Sequence, residues 1–240
     1  MTRFFAVAIL SVVLFSSCHF LHGKRIKGNG NVITQPRNLS GFSAVNVSSA
    51  INLYIKQDSS FSVKVVADDN LQVYVIVEMD GNTLRVREKD NTNLDATGKI
   101  KVYVSAPAFK SLNASGACNI IGENLLSTDE NVEIDVTGAS EATLELKALK
   151  ISAGMTGASR LELRGQTKDL SLEGSGASHA KCFELLSENT KVDISGASHA
   201  EVFASVLLDA HASGASGIRY KGNATVSQEA SGASSVKKEE

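Results

Sequence analysis

The sequence predicts an all-β protein whose main body is a right-handed parallel β-helix, and three observations carry that expectation. A Gly-Ala pair recurs seven times, at Gly116, Gly138, Gly157, Gly176, Gly196, Gly214 and Gly232, in steps of 22, 19, 19, 20, 18 and 18 residues. Alternating apolar and polar runs flank most copies: "NVEIDVT" ends at Thr137 and "TKVDIS" at Ser195, while "ATLEL" starts at Ala142 and "RLELRG" at Arg160. Nineteen glycines against two prolines, with abundant Val, Ile and Thr, fit short strands joined by tight turns. A unit this short cannot bury its apolar side alone, so each repeat must stack on the next as one coil, about 4.8 Å away. Parallel crossovers favour the right hand. The variable step also disfavours a left-handed hexapeptide helix, which holds to about 18 residues per coil, and the blades of a propeller need about 40.

Taken in order, the chain begins with "MTRFFAVAILSVVLFSSC". Arg3, the apolar run Phe4–Phe15 and the small Ser16 and Ser17 have the form of a secretory leader too short to span a bilayer. Cysteine directly after the small pair resembles a bacterial lipobox, which makes residues 1–17 a lipoprotein signal peptide and Cys18 the acylated residue. Several acyl chains, each methylene contributing about 0.8 kcal/mol, would hold the protein to a membrane. An ordinary leader with an incidental cysteine is the alternative. Residues 18–29 read as a flexible tether. They carry no acidic cluster resembling a surface-export signal, so an outer-membrane lipoprotein on the periplasmic face is expected, with surface display open.

Residues 30–110 read as a less regular β region continuous with the solenoid and capping its first coil. "FSAVNVSSAINLYI" from Phe42 is a degenerate copy in which Ser48-Ser49-Ala50 replaces Ser-Gly-Ala, and "FSVKVVA", "LQVYVIVEM", "NTLRVREK" and "IKVYVSAP" are strand candidates. Asp80-Gly81-Asn82 marks a hairpin turn. Residues 111–240 form the β-helix proper. Val132, Ile134 and Val136 should point inward, as should Leu149 with Ile151, Leu170 with Leu172, and Val192 with Ile194. At each corner Gly gives the backbone freedom to turn. The alanines from Ala117 to Ala233 are expected inside the corner, and Ser140, Ser159, Ser178, Ser198, Ser216 and Ser234 outside it as a hydroxyl ladder.

The opening "GNGNVITQPRNLSGFSAVNVSSAINLYI", then "VVADDNLQVYVIVEMDGNTLRV", then serial "SGAS" copies beginning with "SGACNIIG", resemble the head GIN domain family of putative auto-transporter adhesins, common among lipoproteins of Bacteroidetes-type bacteria. The resemblance covers roughly Gly28 to Glu240. It implies a right-handed β-helical fold and an envelope location, and it brings no catalytic residues.

Charge excludes one partner class: 24 basic against 26 acidic residues give a net −2, with no field to hold nucleic acid. "GSGASH" at Gly174 lacks the last glycine of a dinucleotide loop, and neither GKS nor GKT occurs, so no cofactor is expected. His179 and His199 follow the corner serine in adjacent coils, about 5 Å apart on the outside. Glu201 or Asp193 could add a metal ligand. Their row continues with Arg160, Gly217 and a single acid, Glu141, so an exposed polar ladder without metal is expected and the two histidines are the candidate binding residues. Asp135 and Asp193 share a strand position three coils apart, about 14 Å, with Glu173 between them and Ser152 expected in the same row. Glycosidases need two acids at about 5–9 Å, so solvated acids are expected and no catalytic residue is assigned. Cys118 in the corner-serine row and Cys182 inside a later coil are too far apart to bridge. A sugar-stacking platform would have to draw on Tyr54, Tyr74, Tyr103, Tyr220 or a phenylalanine. The favoured function is a non-enzymatic envelope lipoprotein, an adhesin or scaffold presenting its faces to a carbohydrate or an envelope protein. The alternatives are a polysaccharide lyase or hydrolase using the Glu173 or Asp193 face, and a purely structural element.

Overall fold

Alternating apolar residues drive this chain into strands with one side in and one side out. In the computed structural model, which describes residues 23–240, Val132, Ile134, Val136, Ile151, Leu170, Leu172, Val192 and Ile194 line the interior and are at most 2% exposed. The leader and Cys18 lie outside the described residues. With 66% strand and 3% helix, the chain winds a parallel β-solenoid of about seven turns with coils of about 19 residues.

Strands preceding the Gly-Ala pairs stack into a first face, in which 131–138 pairs with 150–157 and the series continues through 169–174, 189–194, 207–212 and 225–230. Strands following the pairs make a second face, from 119–121 through 141–147, 160–166, 179–182, 199–203 and 217–221 to 235–238. All these pairings are parallel. Leu149, expected inside, is instead 51% exposed. It sits where the second face turns into the next first face, and there Ala148 and Ile151 both point in, leaving two residues outside.

The N-terminal region joins the same stack out of chain order. Ala44–Val47 and Ile51–Gln57 form a coil that pairs with Ser111–Ala114 and Asn119–Gly122 on one side and with Thr83–Glu88 and Ile100–Ala106 on the other. The bottom coil is closed by antiparallel strands: Ser62–Asp68 on Ile100–Ala106, Val32–Arg37 on Ser62–Asp68, and Val75–Asp80 on Thr83–Glu88. The hairpin at Gly81 is as expected, with φ +61°. The run "LQVYVIVEM" does not form one strand, because Asp69–Tyr74 is a 3-10 helix. Its Gln72 is buried and donates to Ile33 O at 3.1 Å and Val65 O at 3.2 Å.

Residues 24–29, expected in the tether, are structured. Lys24–Lys27 pairs with Thr92–Asp95, and Arg25 bonds Asp95 at 2.9 Å. The next turn docks on Asp68, 1% exposed, whose carboxylate accepts from Gly30 N at 2.7 Å, Thr97 Oγ1 at 2.7 Å and Thr97 N at 3.1 Å. Burial pushes the Asp68 pKa up, but the hydrogen bonds from Thr97 and Gly30 outweigh it and hold the carboxyl below its ordinary value. Polar partners order this segment, which is why hydrophobic periodicity does not reveal it.

At the repeating corner the backbone makes its own column. Ala139, Ala158, Ala177, Ala197, Ala215 and Ala233 each donate N–H to the carbonyl of the glycine one coil earlier, at 2.7–2.8 Å. Gly176 has φ +84°, and a Cβ there would lie 2.7 Å from Gly157 O. Handedness and the neighbouring corner therefore both exclude a side chain. In the degenerate copy Ser49 occupies the same place, at φ +77°.

The other corner residues are oriented opposite to expectation. Ala139, Ala158, Ala177, Ala197 and Ala215 are exposed, and Ser140, Ser159, Ser178, Ser198 and Ser216 are buried. Gly and Ala together span the outside of the turn, so alternation resumes inward at the serine. Its hydroxyl pairs with the polar groups trapped there. Ser216 Oγ donates to Ser213 O at 2.8 Å and Ser234 Oγ to Ser231 O at 2.7 Å. Cys118 takes this role in its coil, Sγ to Ser115 O at 3.2 Å. Ser159 Oγ is buried with no partner among the described residues.

Urea unfolding should show Gly176→Ala costing about 2 kcal/mol or more and Ala177→Ser costing less than about 0.5 kcal/mol. Relief of the left-handed strain in Ser49→Gly should stabilise by about 0.5–1 kcal/mol. Ser216→Ala should cost about 1 kcal/mol, whereas Ser159→Ala should cost nothing measurable. Equal penalties at Ser159 and Ser216 would contradict the roles assigned to the inner hydroxyls.

Candidate functional site

On the first face, parallel stacking puts Asp135, Gly154, Glu173, Asp193, His211 and Glu229 in one outward row. The row of Asp135 continues into Gly154, not Ser152, which pairs instead with Glu133. Beside it runs a hydroxyl row that pairs Thr137 with Thr156 and Thr156 with Ser175. Gly154 leaves a notch into which Asp135 leans; a Cβ at Gly154 would collide with Asp135 Oδ1. The result is a shallow groove of about 390 Å³ lined by Asp135, Thr137, Thr156, Glu173, Ser175 and Asp193. Burial, then the charges of Glu133 and Glu173, raise the Asp135 pKa above its ordinary value.

His211 stands between Asp193 and Glu229 in this row, held by Asp209 at 3.0 Å and near Glu229 at 3.5 Å. Sequence reasoning passed over it, although its signal was present: His211 precedes Gly214 by three residues, as Asp135 precedes Gly138, Glu173 precedes Gly176 and Asp193 precedes Gly196. Among the described residues no group of three or more His, Cys, Asp or Glu is arranged to hold a metal.

His179 and His199 do stand in adjacent coils of the second face, in the row Glu141, Arg160, His179, His199, Gly217. Their ring centroids are 6.1 Å apart and tilted by 39°. His199 leans towards Gly217, its Cδ2 3.4 Å from where a Cβ would be. His179 Nε2 is buried without a hydrogen bond among the described residues, 4.0 Å from Glu201 Oε1. Burial lowers the His179 pKa, and Glu201 only partly opposes it. Of the two acids considered as further ligands, Glu201 is beside the pair but engaged by Arg219. Asp193 is on the other face, next to His211.

Both described cysteines are buried and unbridged. Burial pushes the Cys182 thiol up to about 12. Tyr54 and Tyr103 stack on each other at 4.8 Å and 16°. Each therefore spends one ring face on the other.

Fold and surface together define a β-solenoid that displays ordered rows of polar side chains on two long faces. Residues 41–224 match the family model "Putative auto-transporter adhesin, head GIN domain", and the chain belongs to that family. A solved putative adhesin from Bacteroides fragilis NCTC 9343 superposes with a TM-score of 0.84 at 21% identity, over 89% of this chain and 99% of that one. A putative lipid binding protein from Parabacteroides distasonis ATCC 8503 gives 0.73 at 22% identity, over 90% and 100%. A putative adhesin from Parabacteroides merdae ATCC 43184 gives 0.72 at 23%, over 91% and 100%. At these identities the likeness establishes the shared fold. No match was found among curated proteins.

The raised Asp135 pKa has a signed consequence. The folded state holds its proton more tightly than the unfolded state, so stability falls as pH rises through the interval between the two values. Asp135→Asn should therefore stabilise at pH 7, by less than about 1 kcal/mol because the group is partly solvated. At pH 3, where the carboxyl is protonated in both states, it should change little. Thermal unfolding at both pH values checks this, and an equal gain at each would contradict it.

Proposed function

We propose that this protein is a non-enzymatic lipoprotein of the cell envelope, acylated at Cys18, that works as an adhesin-type binding module. It holds a carbohydrate or another envelope protein along its solenoid faces, on the periplasmic side of the outer membrane or at the cell surface. The observation that carries this reading is the pair of faces on which side chains repeat at coil spacing, since such rows match a ligand that is itself a repeating polymer or an extended strand. Membership of the family described as "Putative auto-transporter adhesin, head GIN domain" agrees with it. His179 and His199 belong to the presented surface of the second face, and Asp135, Glu173, Asp193 and His211 to that of the first.

The competing reading, a polysaccharide lyase or hydrolase, rests on the acid-lined groove of the first face. Catalysis would require two acids, or an acid with basic partners, to converge on one bond from either side, whereas here the acids stand in parallel along one row. Binding and turnover measured together on purified envelope polysaccharides and peptidoglycan fragments separate the two. Saturable binding without product formation is expected. Product formation abolished by Asp193→Asn would overturn the proposal. For the anchor, mass spectrometry of the mature N-terminus should find diacylglycerol on Cys18, and Cys18→Ala should release the protein from membranes.

A further inference from the structure

The second face is irregular at Gly122–Leu125, which holds two residues more than the facing 144–145, and from residue 141 onward it gains a residue at one place. Residues 160–162 pair with 179–181, but Gly165 pairs with Leu185, so one extra residue is inserted after Lys181. Phe183 and Glu184 form a turn that interrupts the strand, a bulge of the kind that re-aims side chains off a sheet. The following coil has no matching insertion, since His199–Phe203 runs unbroken against Gly217–Lys221. The bulge is not repeated in the next coil and opens a groove of about 340 Å³, lined by Glu162, Arg164, Lys181, Phe183, Glu184 and Glu201. That volume lies in the range of small-ligand clefts.

The polar groups in this groove are fixed but not used up. Arg164 is clamped between two acids, Nη2 to Glu162 Oε1 at 2.6 Å and Nε to Glu184 Oε2 at 3.2 Å. Arg219 holds Glu201 through Oε1. Each carboxylate thus has a second oxygen with no hydrogen bond among the described residues, and Lys181, between Glu162 and Glu201 in the row, has no ion pair there. Phe183 supplies an apolar wall, with Lys221 Nζ 5.4 Å from its ring centroid.

We propose that this groove is a binding subsite for a neutral sugar residue of a glycan chain, which gives the binding module described above its ligand class and rests on that reading. Three preoriented acceptors beside an ammonium donor call for a ligand that both donates and accepts over a short span, as neighbouring hydroxyls do. Glu162, Glu184 and Glu201 are offset by Arg164, Lys181, Arg219 and Lys221, so the site favours neither a polyanion nor a polycation. The ring of Phe183 suits the C–H face of a pyranose.

Isothermal titration of the full chain with cellohexaose, chitohexaose and mannohexaose, and with hexagalacturonate as the charged probe, tests this. At least one neutral hexamer should bind saturably, and Phe183→Ala should weaken it about tenfold or more, an effect of about 1.4 kcal/mol. Arg164→Met should weaken it similarly by freeing both clamped carboxylates. Phe183→Tyr should retain binding, and thermal unfolding of each variant confirms that the coil is intact. Val73→Ser, at an exposed position of the N-terminal 3-10 helix outside both grooves, should change nothing. Binding of neutral hexamers that Phe183→Ala leaves untouched would overturn this subsite while the binding-module reading stands. Binding of hexagalacturonate alone would overturn the ligand class. No binding of any hexamer up to millimolar concentration would overturn the subsite and count against a glycan ligand for the protein as a whole.

Discussion

A column of hydrogen bonds from each corner alanine N–H to the glycine carbonyl one coil earlier governs this structure. Sheets alone do not set the register of a solenoid, because a strand can slip by two residues and still alternate correctly. The corner removes that freedom. The residue laid over a corner must be glycine, since a Cβ at Gly138, Gly157, Gly196 or Gly214 would approach the carbonyl beneath to 2.6–2.7 Å, and only the first corner of the column, Ser49 beneath Gly116, carries a side chain. Once corners are stacked, strands of both faces are aligned to the residue, and coils that differ in length absorb the difference elsewhere.

That constraint explains where surface chemistry arises. A rigid column leaves outward positions free to vary, and aligned positions become rows: acids and a histidine on the first face, alternating acids and bases on the second. Both grooves described above lie where the regular pattern is broken. Gly154 removes one side chain from the acidic row, and the extra residue at Phe183-Glu184 lifts the chain off the second face. Regularity thus supplies the scaffold, and two local departures supply these two grooves.

The coil period, the inward ladders and the histidine pair were legible because stacking turns sequence spacing directly into spatial neighbours. Other features were not. The burial of the corner serines depends on how many residues the turn spends outside, and the motif Ser-Gly-Ala-Ser reads equally well with either residue inside. Leu149 misled because the opposite corner shifts the alternation without any glycine to mark it. The ordering of Lys24–Lys27 and the turn after it depends on a buried carboxylate, Asp68, whose partners Gly30 and Thr97 lie 38 and 29 residues away. His211 was readable, since its offset from Gly214 matches that of the acids in its row. The sugar subsite needed the register itself, because a one-residue bulge shows only when two neighbouring coils are aligned.

Hydrogen exchange at the corners tests the central claim most directly. The side chains of Ala158, Ala177, Ala197 and Ala215 are exposed, yet their N–H groups belong to the column at 2.8, 2.8, 2.7 and 2.8 Å. If the column holds the stack together, these amides exchange as slowly as those of the buried strands, close to the global unfolding limit. Exchange at the rate of ordinary exposed turns would show that the corners are passive connections and that the sheets, not the column, set the register of the coils.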